Sequence, residues 1–160
     1  MELTTVEVKI PEDCNIIFGH SHFIKTAEDL YEVMVNNSPS VKFGIAFSEA
    51  SQDCLIRTEG NDAELTKMAS DAIMDIGCGH SFIIFLKNAF PLNFLPAIKN
   101  VPEIVRIYCA TANPVQVVIT RNEQGGAVLG VIDGFPPKGV EDDKHKQTRK
   151  KFLRDIGYKL

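Results

Sequence analysis

The stretch from Ser81 to Leu86, SFIIFL, constrains the fold more than any other. Its side chains alternate between two faces if it is a strand, yet Phe82 to Leu86 are apolar on both. Such a strand must lie inside a sheet with cover above and below. It is therefore expected at the sheet centre, with the other elements arranged around it. The chain has 160 residues, enough for one domain, expected over 1–160, with a substantial core.

Around that strand the pattern mixes hairpins with helical crossovers. LTTVEVKI alternates and is β-branched, and CNIIFGHSHFI begins as a strand and breaks at Gly19. Thr26 is expected to cap AEDLYEVMVNN, a helix with acids in its first turn. VKFGIAFSEAS and CLIRTEG read as a strand pair joined at SQD. Asn61 or Asp62 caps the next helix, whose Leu65, Met68, Ala72, Ile73 and Ile76 share one face. Gly77 stands where a left-handed residue ends a helix. FPLNFLPAIKNVPEI reads as a short helix bracketed by prolines. VRIYCATA, VQVVIT and AVLGVIDG are three more strands, and the tail from about Glu141 to Ile156 is helical. This order predicts an α+β fold with a mixed β-sheet and packed helices. It is not a P-loop or Rossmann fold, since neither G-x-x-x-x-G-K-[ST] nor G-x-G-x-x-G after a strand occurs.

Composition narrows the function classes. A net charge of −4 points to neither nucleic acid nor an anionic membrane as partner. The basic run KHKQTRKKFLR reads first as the wet face of a terminal helix, with an anion-binding patch as the sharper alternative. Four scattered cysteines show no zinc spacing, and no apolar run is long enough to span a bilayer. With no signal peptide at the start, a reduced cytoplasmic setting is expected.

The chemistry concentrates in IGCGHSF, residues 76–82. Gly77 and Gly79 are expected to take positive φ and bring backbone amides close to a phosphate, with Ser81 as a side-chain donor. His80 offers an imidazole able to attack phosphorus. The plainer alternative is a helix end followed by a histidine bonded to a backbone carbonyl. In GHSHFIKT, Lys25 before a helix can neutralise phosphate, while His20 and His22 leave a metal-dependent hydrolase as a third reading. Glu49, Glu59 and Asp133 are acids able to hold Mg²⁺ or accept a hydroxyl proton, or simply rim charges and turn formers. Asn113, in the turn after YCATA and close to Thr111, can present a donor and an acceptor to an adenine edge.

Together these segments resemble the adenosine-specific kinase family of archaea and some bacteria. The resemblance runs from VEVKIPEDCNIIFGHSHFIKTAEDLYE through KFGIAFSEAS, RTEGNDAELTKMASDAIMDIGCGHSFIIFL and IYCATANPVQVVI to LGVIDGFPPKGVEDD and FLRDIGYKL. It implies a compact α+β protein, a homo-oligomer and in particular a trimer, that binds adenosine and adenine nucleotides. It also implies phosphoryl transfer involving a histidine, matched here by His80, with ATP or ADP as donor and Mg²⁺ as companion ion. On that basis His80 and Lys25 are catalytic candidates, and Asp133 joins them by residue type alone. Gly77, Gly79, Ser81 and Lys25 are the phosphate-binding candidates, and Thr111, Asn113 and Glu49 those for adenosine. His20 stands where the family often has glutamine, and Gly126 where a basic residue is expected. The main alternative is a nucleotide-binding sensor with a phosphorylatable histidine and little turnover.

Overall fold

The computed structural model describes residues 2–160. Eight strands and four α-helices follow in the order β1 (Leu3–Val8), β2 (Asn15–Ser21), α1 (Thr26–Asn37), β3 (Lys42–Ser48), β4 (Ile56–Gly60), α2 (Ala63–Ile76), β5 (Ser81–Lys87), α3 (Leu95–Lys99), β6 (Ile104–Thr111), β7 (Val115–Arg121), β8 (Gly126–Asp133) and α4 (Asp143–Asp155). The α+β class inferred from the sequence is the class observed.

The strands divide between two sheets, one of order β4-β3-β5-β2-β6 and one of order β1-β7-β8. All six pairings are antiparallel. The helical crossovers do join strands of like direction, as a mixed sheet requires. Between each such pair, however, lies a strand of opposite direction: β5 between β2 and β3, β3 between β4 and β5, β2 between β5 and β6. The crossovers thus build the sheet without any two like-directed strands touching.

The strand at SFIIFL is β5, and it sits in the middle. Phe82, Ile84 and Leu86 join Leu30 and Met34 of α1 and Ile98 of α3 in one core. Ile83 and Phe85 face the other way, towards Leu65, Ala69, Ile73 and Ile76 of α2 and Val115, Val117 and Ile119 of β7. The alternation of one strand therefore separates two hydrophobic cores, one on each side of the larger sheet.

Local signals explain most boundaries. Asp62 caps α2 by accepting from the Leu65 amide at 3.0 Å. Gly77 ends that helix at φ +59°, and its amide returns to the Ile73 carbonyl at 2.9 Å. The expectation for Thr26 was wrong. Lys25 occupies the cap position without a side-chain cap, and Thr26 is the first helical residue, fully buried. Its hydroxyl donates to the Phe23 carbonyl and lies 2.5 Å from Ser21 Oγ. A buried hydroxyl must find such partners, and they draw it away from the helix amides. At the other end of the chain, α4 has no buried residue among those described.

Candidate functional site

A cleft of about 750 Å³ opens at one end of β5. Gly77, Gly79 and His80 of the α2–β5 turn line it, with Glu49, Ala50, Cys54 and Leu55 of the β3–β4 loop, His20 of β2, and residues 120–122 and 124–127 of the β7–β8 hairpin. Two other hollows, of about 540 and 610 Å³, carry no histidine. The cleft at His80 is larger than either and has imidazoles in its wall.

The turn is built differently from expectation. Positive φ falls on His80, at +61°, and Gly79 does not share it. Gly79 is needed for closeness instead, since a Cβ there would lie 2.9 Å from the Ala50 Cβ. The His80 backbone is pinned on both sides: its amide donates to the Ser48 carbonyl at 2.8 Å, and its carbonyl accepts from the Ser21 amide at 2.9 Å. A non-glycine residue in the left-handed region costs roughly 1–2 kcal/mol and persists only where its surroundings dictate it. Here two strands dictate it, and the ring is held at the mouth of the cleft.

Ser81 does not join that ring. It is buried, and its hydroxyl donates to the Cys78 carbonyl at 2.6 Å. The amides of Gly77, His80 and Ser81 are likewise engaged within the protein. The expected amide nest is thus largely closed.

Three imidazoles converge. The His80 centroid is 6.1 Å from that of His20 and 6.4 Å from that of His22, and its ring stacks on Phe47 at 5.9 Å. Phe47 is buried and belongs to the core, so it fixes the orientation of the ring. His20 is half-buried, and its pKa is lowered first by that burial, then by the positive field of His80 and Arg106. His22 is exposed and stacks on Phe23. Among the described residues no three His, Cys, Asp or Glu side chains stand together as metal ligands. His20 and His22 each have His80 as a neighbouring imidazole.

Glu49 reaches the cleft wall, with one of its carboxylate oxygens, Oε2, occupied. It accepts from the Leu55 amide at 3.2 Å and from Arg57 at 2.9 Å. The Leu55 hydrogen bond, followed by Arg57, holds its pKa below the usual glutamate value. It staples the β3–β4 loop into shape.

Arg121 is the cleft residue that sequence reasoning missed. Its guanidinium donates to the carbonyls of Asp75 and Ile76 at 3.1 and 2.8 Å. These carbonyls end α2, whose last turn holds no basic residue of its own. The hairpin carrying Arg121 lies so close that a Cβ on Gly126 would come within 2.8 Å of both the Gly77 carbonyl and the Cys78 sulfur. That is why no side chain stands at 126. The cation on this wall is supplied by Arg121.

The other candidates lie elsewhere. Lys25 bridges Asp29 at 3.3 Å and the buried Glu103 at 3.5 Å, beside a hollow of about 230 Å³ lined by His22, Phe23 and Pro102. Glu59 lies near the start of α2, in a separate hollow. Thr111, Asn113 and Asp133 form one cluster: Thr111 Oγ1 accepts from the Asn113 amide at 3.0 Å, and Asn113 Nδ2 donates to Asp133 at 3.3 Å. In the register of β2 with β6, Thr111 lies opposite Ile16 and Arg106 opposite His20. Four residues of strand span about 13 Å, so this cluster and His80 sit at opposite ends of the sheet.

The comparisons bear on the same geometry. The family model described as adenosine specific kinase matches residues 6–159. The crystal structure of the PH1918 protein from Pyrococcus horikoshii OT3 is similar at 40% identity and a TM-score of 0.94, over 99% of this chain and 98% of that one. None of the curated proteins compared with the chain matches it. With the family model spanning nearly every residue, both sheets and the whole His80 cleft included, the chain belongs to the adenosine-specific kinase family.

Proposed function

We propose that the chain is a phosphotransferase that moves a phosphoryl group from ATP or ADP to adenosine through His80. The observation that carries this reading is His80 itself. Its backbone is pinned at φ +61° and its ring is stacked on a buried phenylalanine at the mouth of a cleft walled by Arg121 and a second imidazole. Such an outlier, fixed by its neighbours, is what a reactive group in a fixed position requires.

In the first half, a His80 ring nitrogen attacks the terminal phosphorus. The bond from phosphorus to the bridging oxygen breaks, and the shortened nucleotide leaves. In the second half, the adenosine hydroxyl oxygen attacks the same phosphorus, the P–N bond breaks, and the electron pair returns to the ring. Arg121 offers positive charge to the moving group. Mg²⁺ neutralises phosphate charge when it accompanies a nucleotide. The cleft has one carboxylate in its wall, Glu49, already bound by Leu55 and Arg57. These residues do not form a magnesium cage, and no step is assigned to the ion.

Asn113, Thr111 and Asp133 fit base recognition only if another copy brings them near the cleft, because within one chain they lie at the far end of the sheet. A homo-oligomer, a trimer by family resemblance, is therefore part of the reading. It is supported by Leu129 and Ile132 exposed on edge strand β8 and by Phe135, Val140 and Phe152, left exposed around an unburied α4. Lys25 stays in reserve as a phosphate partner on the His22 side of His80.

Intact-mass analysis of wild type and His80→Gln after incubation with ATP, kept away from acid, tests the reading. A phosphate adduct on wild type alone, with AMP formed in excess over enzyme once adenosine is added, is expected. Equal adducts on both proteins would remove His80 from the mechanism. An adduct without repeated turnover would favour the sensor reading.

A further inference from the structure

Transfer from a phosphorylated His80 to a hydroxyl leaves a proton to be placed. The cleft wall contains few groups able to take it. Arg121 accepts none, and its guanidinium is committed to the end of α2. Glu49 has one carboxylate oxygen, Oε2, engaged by the Leu55 amide and Arg57, which hold its pKa below the usual glutamate value and make it a weaker base than an imidazole. Cys54 is an exposed loop thiol. Asp133 of the same chain lies at the other end of the sheet, and its carboxylate accepts from Asn113 Nδ2 at 3.3 Å, so a neighbouring copy would bring it in already bonded within the base-reading cluster. His22, though close to His80, stacks on Phe23 and does not line the cleft.

His20 remains. It lines the cleft, and among the described residues its ring has no hydrogen-bond partner. At a centroid separation of 6.1 Å the two rings are too far apart for a direct hydrogen bond, which leaves room for a phosphoryl group on His80 and, beyond it, an attacking oxygen beside His20. We infer that His20 is a second catalytic residue, the general base that takes the proton from the attacking hydroxyl as the phosphoryl group leaves His80. This rests on the phosphotransferase reading above. The step balances. The hydroxyl O–H bond breaks, its oxygen forms the new P–O bond, the P–N bond to His80 breaks with its electron pair returning to the ring, and the proton resides on His20 before passing to water.

The electrostatics favour both ends of this cycle. Burial first, then the neighbouring His80 ring from the turn before β5 and Arg106 from β6, lowers the pKa of His20 from 6.5, while Glu49 and Arg121 face the same cleft already paired with protein groups. The ring is therefore neutral and receptive near pH 7, and it sheds its proton readily after transfer.

The two half-reactions separate the role of His20 from that of His80. Wild type and His20→Gln are first phosphorylated with ATP, then freed of nucleotide and mixed with adenosine in a single turnover across a range of pH. His20→Gln is expected to gain phosphate on His80 as wild type does, then to transfer it about 10²–10⁴-fold more slowly. In wild type the transfer rate falls as pH drops through the lowered His20 pKa, and in the variant that limb disappears. Transfer within tenfold of wild type, or an unchanged pH profile, overturns the role of His20 and leaves the kinase reading intact. A wild type that forms no phosphohistidine overturns both. If the variant does not fold, the wild-type profile decides alone: transfer with no acid limb at any pH where the protein stays folded refutes the inference.

Discussion

Replacing His80 by alanine and by glycine measures the strain in the turn directly. Both variants lose the ring and its stacking on Phe47, so these losses cancel in the comparison. They differ in one methyl group on a backbone held at φ +61°. At an ordinary helix or strand position glycine is the less stable of the two by roughly 0.5–1 kcal/mol, through the entropy of its unfolded chain. In the left-handed region the alanine Cβ meets the following carbonyl at a cost of roughly 1–2 kcal/mol. The backbone has little freedom to relax, because leaving this conformation breaks the bonds to Ser48 and Ser21, each worth about 0.5–1.5 kcal/mol. The order should therefore invert, with His80→Gly more stable than His80→Ala by up to about 1 kcal/mol. For a chain of this length that is a gap of about 2–4 °C in Tm, measurable by calorimetry or chemical denaturation at matched protein concentration. Alanine equal to or above glycine would show that the turn relaxes at no cost, and the argument from strain would fail with it.

Gly126→Ala should lower stability by roughly 1–3 kcal/mol, since its Cβ would meet the Gly77 carbonyl and Cys78 sulfur; a Tm unchanged within error would show that the hairpin moves aside freely. Glu103 makes a pH prediction. Burial, then Asp29, raises its pKa above the ordinary 4.5, so the fold holds this proton more tightly than the unfolded chain does. Its contribution is therefore full below pH 4.5 and is lost as pH rises through the raised value. Glu103→Gln should remove that falling slope from the stability profile, and a wild-type-like slope in the variant would contradict it.

What the sequence disclosed follows from how local each signal is. Gly77 and Asp62 announce the ends of α2 because caps depend on a few neighbouring residues. SFIIFL announced a central strand because its burial on both faces is written into its side chains. Thr26 misled because its competing partners, Ser21 and the Phe23 carbonyl, come from a turn that forms only when β2 ends as it does. Arg121 escaped because its site lies 45 residues away, at the end of α2. One clue was present: α2 ends without a basic residue, so its last carbonyls required a donor from elsewhere. Asn113 and His80 are expected from the sequence to serve one adenosine-and-phosphate site, and the register of β2 with β6 separates them within one chain.

The interleaved order of the larger sheet also governs how the chain can assemble. Of its four pairings, β3 with β4 alone joins consecutive strands. During synthesis β2, α1 and β3 emerge first, yet β2 and β3 are not partners; a strand-wide gap between them must wait for β5. Until Lys87 has left the ribosome, the edges of Ile16–Phe18 and Phe43–Phe47 that face β5 have no native strand to close on. A topology dominated by such distant pairings folds slowly, and its half-made forms expose the edges that other chains can join. The strand that delivers His80 to the cleft is thus made after both β2 and β3, the earlier-made strands it must pair with, so the His80 turn takes shape only when that part of the sheet closes.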